Sequence, residues 1–439
     1  MKVLSLFDGM ACGMIAMLNA GIEVESYDAY EIDKYAIKVS SHNFPNIHHH
    51  GDVFKADFTQ YEGVDFLVGG SPCTYWSIAQ KNGRETEASG MGWELFSQYV
   101  RAVKEAKPKF FIYENNKSMS AAIRESIDNA FGFEAVHINS ALVSAQNRQR
   151  LYWVGMRNED GTYSKVDVEQ PEDRGILLRD IVDGACWREK AYTIDSNYYK
   201  TLGQQGFDRQ SGRRKMAAEP VCVAQQGRYT DSGRRTVKGQ GTIEQYFEAR
   251  EDCKTNALTT VQKDNNVCEP VRIGTLPRSD GAMLDHQQSR IYSIDGKSTN
   301  LNANGGGQGA KTGLYAFSVP MYAVPTAFDE HGDPTKAISY ADGKEYPVYK
   351  VCNGQIVIND QQYPIKLADG FYIIRKLTVT ECMRLQTVPE WYDFSVISNS
   401  QAYKCLGNGW TCDVITHLIN ACQTAARRKW LKDLLGGGL

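Results

Sequence analysis

The sequence predicts an α/β protein in which a mostly parallel sheet is interrupted by a large β-rich insert and completed by a helical return. Three observations carry this reading. Over residues 1–157 short apolar runs alternate with segments of helical period, the pattern of βαβ units. Over about 160–372 glycines cluster, helical period fades, and β-prone runs are separated by turn signals such as "SDG", "IDGK" and "ANGGGQG". From Leu377 the helical pattern resumes.

Taken in order, "KVLSLF" (2–7) reads as a strand and "GMIAMLNAG" (13–21) as a helix closed by Gly21. "EVESYDAY" (23–30) is a second strand and "DKYAIKVSSHN" a helix, followed by the short "IHHHGDV". "VDFLVGG" (64–70) is the next strong strand. "WELFSQYVRAVKEA" (93–106) places Leu95, Phe96, Tyr99, Val100 and Val103 on one helical face. "KFFIY" (109–113) runs straight into Glu114, and "SMSAAIRESIDNAF", "EAVHINSALV" and "LYWVGM" supply a further helix and strands. "TVTE" (378–381) is a capping box with Thr378 as N-cap and Glu381 at N3. A long amphipathic helix, "TCDVITHLINACQTAARRKWLKDLL", follows "YKCLGNGW". The expected domains are 1–157, an insert at 158–374, and a return at 375–439. Weak echoes within the insert, such as "EPVCVAQ" and "EPVRIGT", suggest β-rich modules but no solenoid period.

Composition narrows the class. The 439 residues are 42% hydrophobic and 23% charged, with no apolar run of about 18 residues and no signal-peptide pattern at "MKVLSLFDGMACG", so a cytoplasmic protein is expected. Eleven cysteines without a C-x-x-C pair read as reduced thiols, and no metal site is expected. The run His48-His49-His50 reads as a solvated loop, because adjacent side chains diverge and no ligand set surrounds them. Net charge is only −3, but across 209–238 eight basic residues stand against two acidic ones, a local charge of +6. Arg209, Arg213, Arg214, Lys215, Arg228, Arg234 and Arg235 there are either a solvated loop or a phosphate-neutralising surface.

Ligands of open parallel sheets bind beyond the carboxyl ends of the strands, so the residues following each strand are the candidates for chemistry. After the first strand comes "DGMACG", which is not a G-x-G-x-x-G turn. Asp8 would repel a pyrophosphate and suits a cofactor with a cationic or zwitterionic amino-acid end. Glu31 lies where an acidic side chain commonly takes ribose hydroxyls, although an ordinary helix-opening glutamate would look the same, and Asp52 is a candidate for an adenine amino group. After "VDFLVGG", whose two glycines would let the backbone approach a ligand, Pro72 fixes the backbone and Cys73 stands at a strand end rather than within an apolar pattern. After "KFFIY" comes Glu114, so that a nucleophile and a proton donor would sit on neighbouring strand ends. In "QNRQRLYWVG", Arg148 and Arg150 alternate and can share one face. They are either an ordinary salt-bridged edge or a cationic group that favours thiolate and holds a pyrimidine carbonyl.

At these residues the chain resembles the DNA (cytosine-5) methyltransferase family. "FDGMACG" is similar to its S-adenosylmethionine loop, "GGSPCTYWS" to its Pro-Cys loop, "ENN" to its Glu-Asn-Val segment and "QNRQR" to its Gln-x-Arg-x-Arg segment. "RKLTVTECMRLQTVPE" and "LGNGW" resemble its C-terminal motifs, and all occur in the family's order. "LFDGMACGM" and "GGSPCTYWSI" lean toward the subtype of bacteriophage enzymes and animal de novo methyltransferases. The resemblance implies a Rossmann-like S-adenosylmethionine-dependent catalytic domain with an inserted, irregular β-rich target-recognition domain. It also implies transfer of a methyl group to C5 of a cytosine flipped out of double-stranded DNA, through a Cys73–C6 adduct. Glu114, Asn115, Arg148 and Arg150 would serve that chemistry. Phe7, Asp8, Gly9, Gly13, Glu31, Ile32, Asp52, Val53, Pro72, Leu95 and Asn408 would contact S-adenosylmethionine. A monomer in a bacterial or phage-infected cell is expected. The alternatives weighed are an RNA (tRNA) cytosine-5 methyltransferase and a catalytically silent DNA-binding homologue. Three positions depart from the family pattern: Thr74 for glutamine, Asn116 for valine, and Gly409-Trp410 in place of the usual serine.

Overall fold

The computed structural model describes residues 1–77, 83–184, 222–229, 243–250, 272–275, 290–294, 297–299, 314–319, 321–358 and 361–434, with the stretches 222–229 and 243–250 described by their backbone alone. The chain divides into two units, one comprising Met1–Ile181, Thr275–Tyr315 and Lys376–Leu439, the other Val182–Gly274 and Ala316–Arg375. Residues 158–181 and 275–315, read from the sequence as insert, cluster with the first unit. Backbone pairing is part of the reason: Ser298 N donates to Ala145 O and Asn147 N to Ser298 O, while the buried Lys297 ammonium donates to the carbonyls of Ala141, Ser144 and Ile176.

In the first unit, β1 (Lys2–Leu6), β2 (Ser26–Tyr30), β3 (Ile47–His49), β4 (Phe66–Gly69), β5 (Phe110–Asn116), β6 (Val136–Asn139), β7 (Gln149–Arg157) and β8 (Tyr163–Lys165) form one sheet. Its order is β3-β2-β1-β4-β5-β7-β6, with β8 on β7. Pairs from β3 through β5 are parallel, whereas β7 runs antiparallel to β5, β6 and β8. The order reverses direction between β1 and β4, which makes their carboxyl ends the topological switch point. β5 continues three residues past the apolar "KFFIY", so Glu114 lies within the strand rather than after it. Parallel pairing with β4 stops at Tyr113, but antiparallel pairing with β7 carries the strand on through Glu114, Asn115 and Asn116. Two of the three consecutive histidines are likewise strand residues, held by β2. Asp28 receives His50 at 2.8 Å and His48 at 3.6 Å, so these rings have a protein partner.

The strands read as unbroken apolar runs because both faces are covered. On one face Val3, Phe66, Val68, Ile112 and Val154 pack with α1 (Cys12–Asn19) and with Val414, Ile415, Leu418, Ile419 and Cys422 of the last helix. On the other, Leu4, Leu6, Leu67, Phe111, Tyr113 and Trp153 pack with α3 (Gly90–Ala106) and α4 (Ala121–Phe131). Between them in sequence, α2 (Lys34–Asn43) begins at an Asp33 cap whose carboxylate accepts from Tyr35 N and Ala36 N. The C-terminal return supplies α5 (Val379–Leu385), α6 (Asn399–Asn408) and α7 (Cys412–Leu434). The capping box of α5 forms as its local sequence dictates: Glu381 N donates to Thr378 Oγ1 at 3.2 Å and Thr378 N to Glu381 Oε2 at 2.7 Å.

The insert is β-rich. β9 (Cys222–Tyr229) and β10 (Ile243–Arg250) form an antiparallel ribbon, and β11 (Arg272–Thr275) follows. β12 (Arg290–Tyr292) pairs in parallel with Leu314 and Tyr315 of β13 (Leu314–Ser318) within the first unit. In the second unit β14 (Ala323–Phe328), β15 (Pro334–Ser339), β16 (Glu345–Cys352) and β19 (Gly370–Arg375) make an antiparallel meander, with the hairpin β17 (Gln355–Ile358) and β18 (Gln361–Pro364) attached to β16. The β16–β17 turn uses Asn353 and Gly354, both at positive φ, as two-residue hairpins require. Of the proposed DNA-contact residues, Arg209, Arg213, Arg214, Lys215, Arg234, Arg235 and the side chain of Arg228 lie outside the described residues. Among the described residues no helix is long and apolar enough to cross a membrane.

Gly155 of β7 faces the Phe111 ring so closely that an added Cβ would lie 2.2 Å from the ring. The ring is packed among Tyr99, Phe131, Phe133 and Tyr163 and has no free rotamer to retreat into. Gly155→Ala is therefore expected to destabilise the first unit by about 1–3 kcal/mol, read as a lower urea midpoint with an unchanged slope.

Candidate active site

The carboxyl ends of the neighbouring strands β3, β2, β1, β4 and β5 bring Asp52, Glu31, Asp8, Cys73 and Glu114 into one row along the sheet edge. Residues separated by over 60 positions in sequence are thereby gathered at the switch point. Two halves of this row have different chemistry.

The β1 half is a tight loop. Phe7, Gly9 and Ala11 all take positive φ, at 58°, 62° and 61°. For a phenylalanine this is a strained conformation of the kind that clusters at ligand sites. The loop is held by Glu31, whose carboxylate accepts from Gly9 N, Ile32 N and Asp33 N, each at 2.8 Å. Asp8 is buried, and its Oδ1 accepts from Ser5 Oγ at 2.6 Å and Tyr27 Oη at 2.7 Å, while Oδ2 has no partner. Burial pushes its carboxyl up to about 6, against the pull of those two hydrogen bonds. A buried carboxylate with an unpartnered oxygen fits the ammonium of an amino-acid-like ligand. Asp52 caps a turn through Phe54 N at 3.0 Å, with Val53 buried behind it, and Ile32 is 75% exposed. Pro72 and Asn408 are exposed and Leu95 is half-buried. An added Cβ on Gly13 would meet Tyr27 Oη at 2.6 Å, so its small size lets α1 pack on β2.

The β4–β5 half holds the thiol and the carboxylate. Cys73 opens a single 3-10 turn (Cys73–Tyr75) after Pro72 and is partly exposed. Glu114 is buried, with Oε1 2.9 Å from Arg150 Nε and Oε2 accepting from Trp410 Nε1 at 3.0 Å. An added Cβ on Gly70 would lie 2.8 Å from both Glu114 O and Oε2. The second glycine of "GG" therefore admits the Glu114 side chain beside the Cys73 loop. Asn115 is fully buried and donates to Ser71 O at 3.1 Å and Tyr113 Oη at 3.2 Å, anchoring the start of that loop. Asn116 Nδ2 donates to Cys73 O at 3.3 Å, a tether that valine could not make.

The two arginines divide the work. Arg150 pairs with Glu114, reaching diagonally from its own register partner Asn116. Arg148 is buried and donates to Gly409 O at 2.8 Å and to Gly407 O at 3.3 and 3.4 Å. Burial lowers its guanidinium to about 10, as does Arg150 beside it; the charges of Glu114 and Cys73 oppose the shift. It remains a cation at neutral pH within electrostatic reach of the thiol. Sequence reasoning did not assign Ser71, and it read Gly70 as room for a ligand. It noted Trp410 only as a departure, with no role. Gln386 was also missed: it is fully buried and donates to Leu406 O at 2.7 Å and accepts from Thr411 Oγ1 at 2.8 Å, fixing the 406–411 loop. Its place in "RLQTVPE" was the available signal. Among the described residues no group of three or more His, Cys, Asp or Glu side chains could hold a metal ion.

The family model described as C-5 cytosine-specific DNA methylase matches residues 1–424. The chain is 27% identical over 457 residues to the orphan methyltransferase M.SPRI of Bacillus phage SPR, covering 94% of this chain and 95% of that one. It is also 27% identical over 515 residues to the orphan methyltransferase M.Rho11sI of Bacillus phage rho11s, covering 94% and 96%. The solved structure of the Entamoeba histolytica methyltransferase EhMeth matches with a TM-score of 0.51 at 11% identity over 97% of this chain and 98% of that one, a likeness of fold.

Of the seven cysteines whose side chains are described, Cys12, Cys382, Cys405, Cys412 and Cys422 are buried, and burial pushes the Cys405 thiol up to about 12. Iodoacetamide at neutral pH should alkylate Cys73 and Cys352 in the native protein and reach the other five only after denaturation, as read by peptide mass spectrometry.

Proposed function

We propose a specific course of reaction for this chain, which belongs to the C-5 cytosine-specific DNA methylase family and is a DNA cytosine-5 methyltransferase. The observation that carries the proposal is the partly exposed Cys73 at the end of β4 with the Glu114–Arg150 pair on the adjoining strand. The target cytosine leaves the duplex stack, because its C6 is unreachable within it. Cys73 thiolate adds to C6. The nucleophile is the thiolate, and the cationic Arg148 lies within electrostatic reach of it. Glu114 gives a proton to N3 and accepts from the exocyclic amine, neutralising the negative charge that attack pushes into the ring. Asn115 acts on Ser71 to hold the nucleophile loop. After methyl transfer, loss of the C5 proton to a base lets the carbon–sulfur bond break and returns the thiolate to Cys73.

The methyl donor implied by the family is S-adenosylmethionine, and the β1 half of the site fits it. Asp8 Oδ2 suits its ammonium, Glu31 its ribose, and Ile32, Asp52 and Val53 its adenine, with Phe7, Gly9, Gly13, Pro72, Leu95 and Asn408 completing the surround. Bound there, its sulfonium supplies an electrophilic methyl group for the activated C5. The insert, 158–374 in sequence, serves as the target-recognition domain, with the basic residues of 209–235 on phosphates. The protein works as a monomer on double-stranded DNA in the cytoplasm of a bacterium or phage-infected host.

Duplex DNA carrying 5-fluorocytosine, incubated with the protein and S-adenosylmethionine, should yield an adduct that survives denaturing electrophoresis, because fluorine cannot leave as a cation. Cys73→Ala should give none; an adduct with that variant would falsify the nucleophile assignment. Trapping on structured RNA instead of duplex DNA would favour the RNA reading.

Asp8 provides a pH test. Its carboxyl is raised to about 6 in the folded protein, so the charged form that attracts the cofactor ammonium is present above that value and lost as pH falls through it. Affinity for S-adenosylhomocysteine, measured by calorimetry, should drop roughly fourfold between pH 7.5 and 5.5. In Asp8→Asn the affinity should be weak throughout and this slope should vanish.

A further inference from the structure

We propose that Trp410 is a positioning residue for the Glu114 carboxylate, a role that rests on the base-binding assignment of Glu114 above. The Trp410 indole Nε1 donates to Glu114 Oε2 at 3.0 Å across 296 residues of sequence. With Arg150 on Oε1, both oxygens of Glu114 are met by a nitrogen donor, so the side chain is fixed at both ends of its terminal plane. Each carboxyl oxygen keeps a further lone-pair position, so capacity remains to accept from the exocyclic amine of a base. On the opposite side Gly70 offers no side chain to take over if the indole bond is lost.

The indole itself is anchored on both flanks. Gly409 O accepts from Arg148 Nη2 at 2.8 Å and from Gln386 Nε2 at 3.3 Å. Thr411 is buried; its hydroxyl donates to Gln386 Oε1 at 2.8 Å and lies 2.9 Å from the Ser140 hydroxyl, from which it can accept. The ring packs against the apolar cluster that α7 closes. A hydrogen-bond donor held this rigidly suits preorganisation, because it orients a reacting group before the substrate arrives.

The test uses the full-length protein. Trp410→Phe keeps an aromatic ring and removes the donor. It is expected to lower kcat at least tenfold, with affinity for S-adenosylhomocysteine and for duplex DNA within twofold of the parent and an unchanged melting temperature. Equal turnover, or a loss that follows weakened cofactor binding or a lowered melting temperature, would overturn the proposal. A second reading does not depend on activity. In protein labelled with ¹⁵N at its seven tryptophans, the indole resonance absent from Trp410→Phe should move on Glu114→Ala. An unmoved resonance means that the contact is not made in solution and ends the proposal. Should Glu114→Ala keep full turnover while the resonance shifts, the base-binding assignment of Glu114 fails but the contact stands, so the two failures are distinguishable.

Discussion

A carboxylate buried at the end of a hydrophobic strand must be compensated, and much of the site follows from how this chain compensates Glu114. Removing an ion from water costs several kcal/mol, to order of magnitude, even after relaxation, and an unpaired charge there would not be tolerated. Arg150 answers one oxygen and Trp410 the other. Both answers impose geometry elsewhere. Arg150 reaches Glu114 only because β7 runs antiparallel beside β5, and this also explains why the strand extends past Tyr113. Trp410 is in place because the C-terminal return comes back across the sheet. Gly70 is required because the carboxylate occupies the space of a Cβ.

The same return closes the core. α7 packs Val414, Ile415, Leu418 and Ile419 on the face of the sheet that α1 also covers, so removing it would leave buried strands open to water. Its leading loop carries the Gly407 and Gly409 carbonyls that hold Arg148, and Tyr392 Oη donates to Met10 O at 2.7 Å in the β1 loop. One segment thus braces both halves of the site. The strained conformations of Phe7 and Ala11 persist in that braced setting, where Glu31 ties down Gly9 from the neighbouring strand.

Legibility followed the range of the interactions. Strands β1, β4 and β5 were readable because burial on both faces demands unbroken apolar runs, and the Thr378–Glu381 box because its two bonds span three residues. The strand-end rule placed Asp8, Glu31, Cys73 and Glu114 on one edge, and the structure has that row. Less was visible where a partner lies far off in sequence. Alternation put Arg148 and Arg150 on one face but could not say that one meets Glu114 and the other the carbonyls of Gly407 and Gly409. The two glycines that close "VDFLVGG" were read as room for a ligand, whereas Gly69 makes room for Leu6 O and Tyr99, and Gly70 for Glu114.

By itself, then, the sequence determined the class of fold, the order of its elements and which candidate side chains stand at the strand ends, because apolar periodicity, local capping and residue chemistry act over a few positions. The tertiary structure alone decided which donor meets which acceptor: Trp410 on Glu114, Asn116 on the Cys73 carbonyl, Lys297 on the 141–144 segment. Those pairings depend on the crossing of elements distant in the chain, and a hydrogen bond requires its partners within about 3 Å, a condition that no one-dimensional pattern encodes.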